Sequence, residues 1–209
     1  MGFGLLQPDG KIGSAKDLQK SIGLFIGAFT ALKDSLGQWR SYASSATGIA
    51  IGFDVTKLDK FCIKEDLLFG SVVYLDDFEK IYYEFNKTIG PYLAYAQKTG
   101  EALGTVTLAP MSMLSAFIKH SGYKEEAEIR IIAGSSSKIK NKFHKGIYIP
   151  YAEIVFGGHL LEIINEIWIG PAANQELVRK SIELMLRENG LLGKCSVDIS
   201  QIPFRLIKE

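Results

Sequence analysis

The chain has 209 residues, 47% of them hydrophobic and 22% charged, with a formal net charge of +1. This excludes a disordered tail and fits a folded chain that can bury a sizeable core, expected as a single domain over residues 1–209 with a loose or helical lead-in over 1–23. The near-zero charge carries no strong nucleic-acid signal and none for a membrane surface, and two distant cysteines, Cys62 and Cys195, fit thiols in a reducing cytoplasm.

No apolar run is long and uninterrupted enough to span a bilayer; the stretch 102–118 contains Pro110 and several hydroxyl residues. In chain order, Ser14 caps a short helix ending before Gly23. Residues 24–30 are apolar and β-prone, a strand. Asp34 or Ser35 starts a helical turn that carries Gln38, Trp39, Arg40 and Tyr42. Residues 47–53 form a strand with Ile49, Ile51 and Phe53 on one face and Gly48, Ala50 and Gly52 on the other. A face made only of tiny residues means that something approaches the backbone closely, most often a packed neighbour.

Residues 72–75 are another strand. Asp76 and Asp77 cap a long helix with Phe78, Ile81, Tyr82 and Phe85 on its apolar face. Pro91 should break or kink this helix, and Thr99-Gly100 should end it. Its tyrosines lack interleaved basic residues, so they read as core and rim rather than as a stacking platform. Residues 101–119 become helical in their later half.

Residues 123–132 read as a strand with Glu126, Glu128 and Arg130 on one face and Ala127, Ile129 and Ile131 on the other. The polar face suits either a solvated surface or a cleft floor. Alternating lysines at 138, 140, 142 and 145 then mark an edge, guarded against aggregation or able to take phosphate. Residues 146–156 form a strand, with Pro150 at an edge or bulge, and 163–169 form a nearly continuous apolar strand suited to a sheet centre. Gly170-Pro171 leads into a helix over 174–188, whose first amides could hold an anion. A last strand spans 194–199. The pattern is α+β, not a βαβ repeat.

Neither common nucleotide-binding glycine loop nor a Gly-x-Ser-x-Gly elbow occurs. His120, His144 and His159 have no metal-ligand spacing, so no metal site is expected. What remains is a polar constellation of Gln38, Arg40, Tyr42, His120, Glu126, Glu128 and Arg130. Paired carboxylates can orient a sugar hydroxyl or stabilise a ribosyl cation, and arginine offers a fork for phosphate. The same groups could instead pair with one another to hold a sheet together.

Phe29-Thr30, then Leu36-Gly-Gln-Trp-Arg-Ser-Tyr42, then Thr47-Gly-Ile-Ala-Ile-Gly-Phe53 resemble the central signature of a bacterial family, domain of unknown function 2971. The likeness continues through Lys119-His120, residues 123–130, Ile149-Pro150-Tyr151, residues 167–171 and 200–205. The family is distantly similar to ADP-ribosyltransferases. That resemblance implies a mixed, mainly antiparallel split sheet with flanking helices and NAD as a substrate. It implies Glu128 as the catalytic carboxylate, Glu126 orienting an acceptor or ribose hydroxyl, and Thr30, Gln38, Trp39, Arg40, Tyr42, His120 and Arg130 around the ligand. The family's His-Tyr-Thr and Asn-Asp-x-x-Glu segments are missing, as in a shortened relative or one whose grip is replaced.

Two functional readings follow. One is an NAD-processing or ADP-ribosyltransferase-like domain of a bacterial toxin or defence system, with a nucleotide ligand. The other is a non-catalytic protein-interaction module of the same fold, with a protein partner or a second copy. A nuclease built on the paired carboxylates ranks last, for want of a third acidic ligand.

Overall fold

The structure, a computed structural model, describes residues 5–6, 12–13, 23–43, 48–100, 111–134, 139–171 and 174–203. In chain order come strands β1 (Leu5–Leu6), β2 (Ile12–Gly13) and β3 (Phe25–Thr30), helix α1 (Leu36–Tyr42), β4 (Ile49–Phe53) and helix α2 (Val55–Lys64). Next are β5 (Leu68–Ser71), β6 (Val73–Leu75), helix α3 (Phe78–Thr99), β7 (Ile118–His120), a 3-10 helix over Ser121–Glu126 and β8 (Glu128–Ala133). The chain finishes with β9 (Ile139–His144), β10 (Ile147–Ala152), a short helix α4 (Leu160–Ile163), β11 (Ile164–Ile169), α5 (Gln175–Glu188) and β12 (Ser196–Ile199). The helix expected from Ser14 lies outside the described residues.

The fold is α+β, and its strand pairs are mainly antiparallel: β1 with β2, β5 with β8, β9 with β10 and β4 with β11, against parallel β6–β7 and β11–β12. The chain forms two compact units, each built from two segments. One takes Met1–Phe29 and Asp66–Ile154, the other Thr30–Glu65 and Val155–Glu209.

In the first unit the sheet order is β3-β8-β5. The middle strand β8 is paired on both edges, and the burial of the consecutive residues Ile131, Ile132 and Ala133 shows that both of its faces are covered there. Helix α3 begins as its sequence dictates: the Asp77 carboxylate accepts from the Lys80 amide at 2.8 Å, and Lys80 Nζ reaches Asp76 and Asp77. It ends at Gly100, whose φ of 73° favours a residue without Cβ. The helix runs on through Pro91 instead of breaking there, losing one amide donor. It buries Ile89 and Ala96, while Tyr82, Tyr83, Tyr92 and Tyr95 are exposed, so the aromatic run supplies surface more than core.

In the second unit the order is β12-β11-β4, which puts the apolar strand β11 at the centre. The tiny-residue face of β4 is explained by β11: a Cβ on Gly52 would lie 2.2 Å from Glu166 Cγ, so the glycine makes room for that side chain. Helix α2 has no counterpart in the sequence reading. Asp54 caps it by accepting from the Lys57 amide at 3.1 Å, and Leu58, Phe61 and Cys62, at i, i+3 and i+4, turn inward. Phe61 packs against Phe156 with ring centroids 4.7 Å apart.

The core of this unit is tied by one carboxylate. Asp34 Oδ1 accepts from the Trp39 indole N–H at 2.7 Å and from the Ser200 hydroxyl at 2.7 Å, while Oδ2 accepts from the Gln201 amide at 3.0 Å. Trp39 is only 4% exposed, and Ser200 is buried as well. Removing the carboxylate strands these donors, so Asp34→Ala should lower the unfolding free energy by about 2 kcal/mol in urea denaturation. An unchanged midpoint would refute this role.

Candidate functional site

The geometry around Glu128 starts with a turn. Instead of a strand through 123–132, the chain makes a 3-10 helix up to Glu126, and Ala127 then adopts left-handed backbone angles, φ 44° and ψ 50°. A side chain rarely takes these angles, at a cost of about 1–2 kcal/mol. Glu126 therefore precedes the strand, and the expected same-face row of Glu126, Glu128 and Arg130 is broken at its first member. The two glutamates still converge. Lys119 Nζ, from β7, donates to Glu126 Oε2 and to Glu128 Oε2, the latter at 3.0 Å.

Arg130 closes the cluster from the same strand as Glu128. Its Nε donates to Glu128 Oε1 at 2.8 Å and its Nη2 to Oε2 at 3.1 Å, a two-pronged grip, while Nη1 donates to the Ala116 carbonyl. Gly70 of β5 stands opposite Arg130 in the register. The Glu128 amide donates to the Tyr74 hydroxyl at 2.8 Å, which ties β8 to β6. Glu128 is 7% exposed.

The Arg130 hydrogen bond holds the Glu128 carboxyl below its ordinary value of 4.5, outweighing burial, with Lys119 adding to the effect. Lys119 is raised above its ordinary 10.5, chiefly by Glu126. The ammonium also lies 4.7 Å from the Tyr123 ring centroid. These shifts favour the charged forms of Glu128 and Lys119, each holding the other's charge in place.

The other residues named from sequence take varied positions. His120, exposed, accepts from the Gly122 amide through Nδ1 at 3.0 Å and so caps the 3-10 helix. Thr30, Gln38, Trp39, Arg40 and Tyr42 belong to the second unit. Thr30 Oγ1 accepts from the Leu32 amide at 3.1 Å. On α1, Trp39 turns into the core, while Arg40 and Tyr42 are exposed and Gln38 is half-buried. Sequence reasoning missed Lys119 and Tyr74. Lys119 had one readable signal, a cation in the segment just before two glutamates.

At the start of α5, Trp168, Gln175, Glu176, Arg179, Asp198 and Gln201 help line an open groove of about 530 Å³. Glu176 and Asp198 disfavour an anion at that helix start, while Arg179 favours one. Among the described residues no group of three or more His, Cys, Asp or Glu is placed to hold a metal ion. No helix among them is long and apolar enough to cross a membrane.

Breaking the cluster leaves buried charge uncompensated. Glu128→Ala should cost about 3 kcal/mol of unfolding free energy. A loss below about 1 kcal/mol, the size of an ordinary surface change, would deny the cluster its structural weight. The pH dependence has a definite sign. A carboxyl held low in the folded state stabilises above its ordinary 4.5 and stops doing so as pH falls through the folded value. The parent should therefore lose stability as pH falls below about 4.5, and Glu128→Gln should flatten that slope. Superimposable pH profiles for the two proteins would contradict this.

The comparisons with known proteins are sparse. No curated protein and no solved structure matches the chain. Residues 38–131, running from α1 to β8, match the family described as Protein of unknown function (DUF2971).

Proposed function

We propose that this chain is a non-catalytic protein-interaction module in which the Glu128 cluster holds one unit together. The observation that carries this reading is that both oxygens of Glu128 are engaged by Arg130 and Lys119. An electrostatic catalyst needs its charge aimed at charge developing on a substrate. A general acid or base needs a pKa near the working pH. Glu128 is neutralised by two neighbours and is held further from neutrality than a free glutamate. Exposed aromatic and aliphatic side chains on α3 and on the β9–β10 hairpin supply surface of the kind partners bury.

A second reading is favoured by the meeting of Glu126 and Glu128 on one ammonium. It is the ADP-ribosyltransferase-like one: an NAD-processing domain of a bacterial toxin or defence system, with the split sheet that resemblance implies. Glu128 would stabilise the ribosyl cation, Glu126 would orient the acceptor, and Arg40 or Arg130 would hold phosphate.

Incubation with NAD separates the two. The module should release no nicotinamide above the buffer blank and give no binding heat in calorimetry. Nicotinamide release that disappears in Glu128→Gln, with the variant still folded, would overturn the module and establish the enzyme.

A further inference from the structure

The β9–β10 hairpin offers one usable edge with a defined charge. Its strands pair from His144↔Ile147 back to Ile139↔Ala152 around a two-residue turn. Lys145 and Gly146 have φ of 49° and 83°, the pair of positive values that a tight hairpin with the natural strand twist requires. Among the described residues neither strand pairs with any other.

The register separates two faces. Lys140, Lys142 and His144 share one with Ile147, Ile149 and Tyr151; Ile139, Asn141 and Phe143 share the other with Tyr148, Pro150 and Ala152. Phe143 is 67% and Tyr148 74% exposed, edge to face with each other. A two-stranded ribbon with its apolar face in water is marginal by itself, so this face calls for a cover.

The turn also fixes which backbone groups point outward. His144 and Ile147 close the loop as a mutually bonded pair, so the next pairs alternate: Phe143↔Tyr148 not bonded, Lys142↔Ile149 bonded, Asn141↔Pro150 not bonded. Groups in non-bonded pairs face away from the partner strand. On β10 the outward position at 150 is proline, which has no N–H and blocks that edge. On β9 the outward amides are those of Asn141 and Phe143, both on exposed residues. With its outward donors uninterrupted by proline, the β9 edge is the better place for an added strand.

Charge then chooses the strand. Lys140 and Lys142 on β9 repel a second copy of the same edge, the usual guard against self-pairing. Lys142 is placed to attract a carboxylate, and the chain supplies a precedent on the same face, where Lys140 Nζ pairs with the Glu153 carboxylate. Lys142, 5.7 Å from the Tyr151 ring centroid, and His144 extend the same face. Nucleic acid fits less well, because the lysines and the exposed Phe143–Tyr148 pair lie on opposite faces, whereas a single strand needs phosphate and stacking contacts side by side.

We infer that the outer edge of β9 takes an extended segment of a partner protein in which acidic and apolar residues alternate, adding a strand to the hairpin. The inference deepens the interaction-module reading and rests on it. The NAD assay decides that reading alone; the following titrations decide this edge.

A fluorescein-labelled peptide of alternating glutamate and valine, nine residues long, is titrated with the protein and followed by anisotropy, beside its lysine–valine counterpart and a labelled thymidine 12-mer. Saturable binding of the acidic peptide alone, weakening with added salt, is expected. Asn141→Pro, which copies on β9 the block that Pro150 places on β10, should weaken it by about tenfold or more. Lys142→Glu should weaken it similarly and shift preference toward the lysine peptide. Circular dichroism shows that each variant is folded. Equal binding of both peptides, preference for the oligonucleotide, or acidic-peptide binding indifferent to both substitutions would overturn the inference. So would an absence of acidic-peptide binding, whether or not the protein self-associates in sedimentation.

Discussion

A carboxylate enclosed like Glu128 can stay ionised only if cations reach it, and two do. Arg130 comes from two residues along the same strand and Lys119 from β7, while the Glu128 amide is bound by Tyr74 of β6. One side chain thus ties β8, the middle strand of one sheet, to the neighbouring parallel pair. Ion pairs this enclosed add little net stability over an apolar packing of the same volume, but they penalise every arrangement that separates their partners. Their effect is on specificity: they favour the arrangement in which the left-handed turn at Ala127 brings both glutamates to the same ammonium.

The second unit solves the same problem with neutral donors. Asp34 gathers an indole, a hydroxyl and an amide, so that α1 and the segment just after β12 are held by one residue. Each unit therefore has a carboxylate hub: Asp34 joins segments more than 160 residues apart, whereas the Glu128 side chain gathers neighbours within the stretch from Lys119 to Arg130.

Much of the architecture was legible. Short-range signals gave the strands at β3, β4, β10, β11 and β12, the capped start of α3 at Asp77, its end at Gly100 and the central place of β11. Helix α2 was overlooked although its signals are equally local, an aspartate cap at Asp54 and an inward stripe at Leu58, Phe61 and Cys62. The site was harder. Alternation correctly placed Glu128 and Arg130 on one side, but a rule of period two cannot foresee that Ala127 turns left-handed. Nor could spacing reveal that Lys119 would be the common partner, since that depends on β7 folding back beside the turn. Trp39 illustrates the same limit: an aromatic between polar neighbours reads as well for a ligand wall as for a core, and only the Asp34 contact distinguishes them.

The interleaved make-up of the units has a consequence during synthesis. Strand β4 leaves the ribosome roughly 110 residues before β11, its partner, because the segment Asp66–Ile154 of the other unit is made in between. At translation rates of about 5–20 residues per second, that is a wait of some 5–20 seconds. Throughout it, Ile49, Ile51 and Phe53 have no sheet to join, while β5 and β8 can meet before β11 is made. Nascent chains should thus complete one unit first and leave the other half-built, a window in which a holding chaperone would find its natural client.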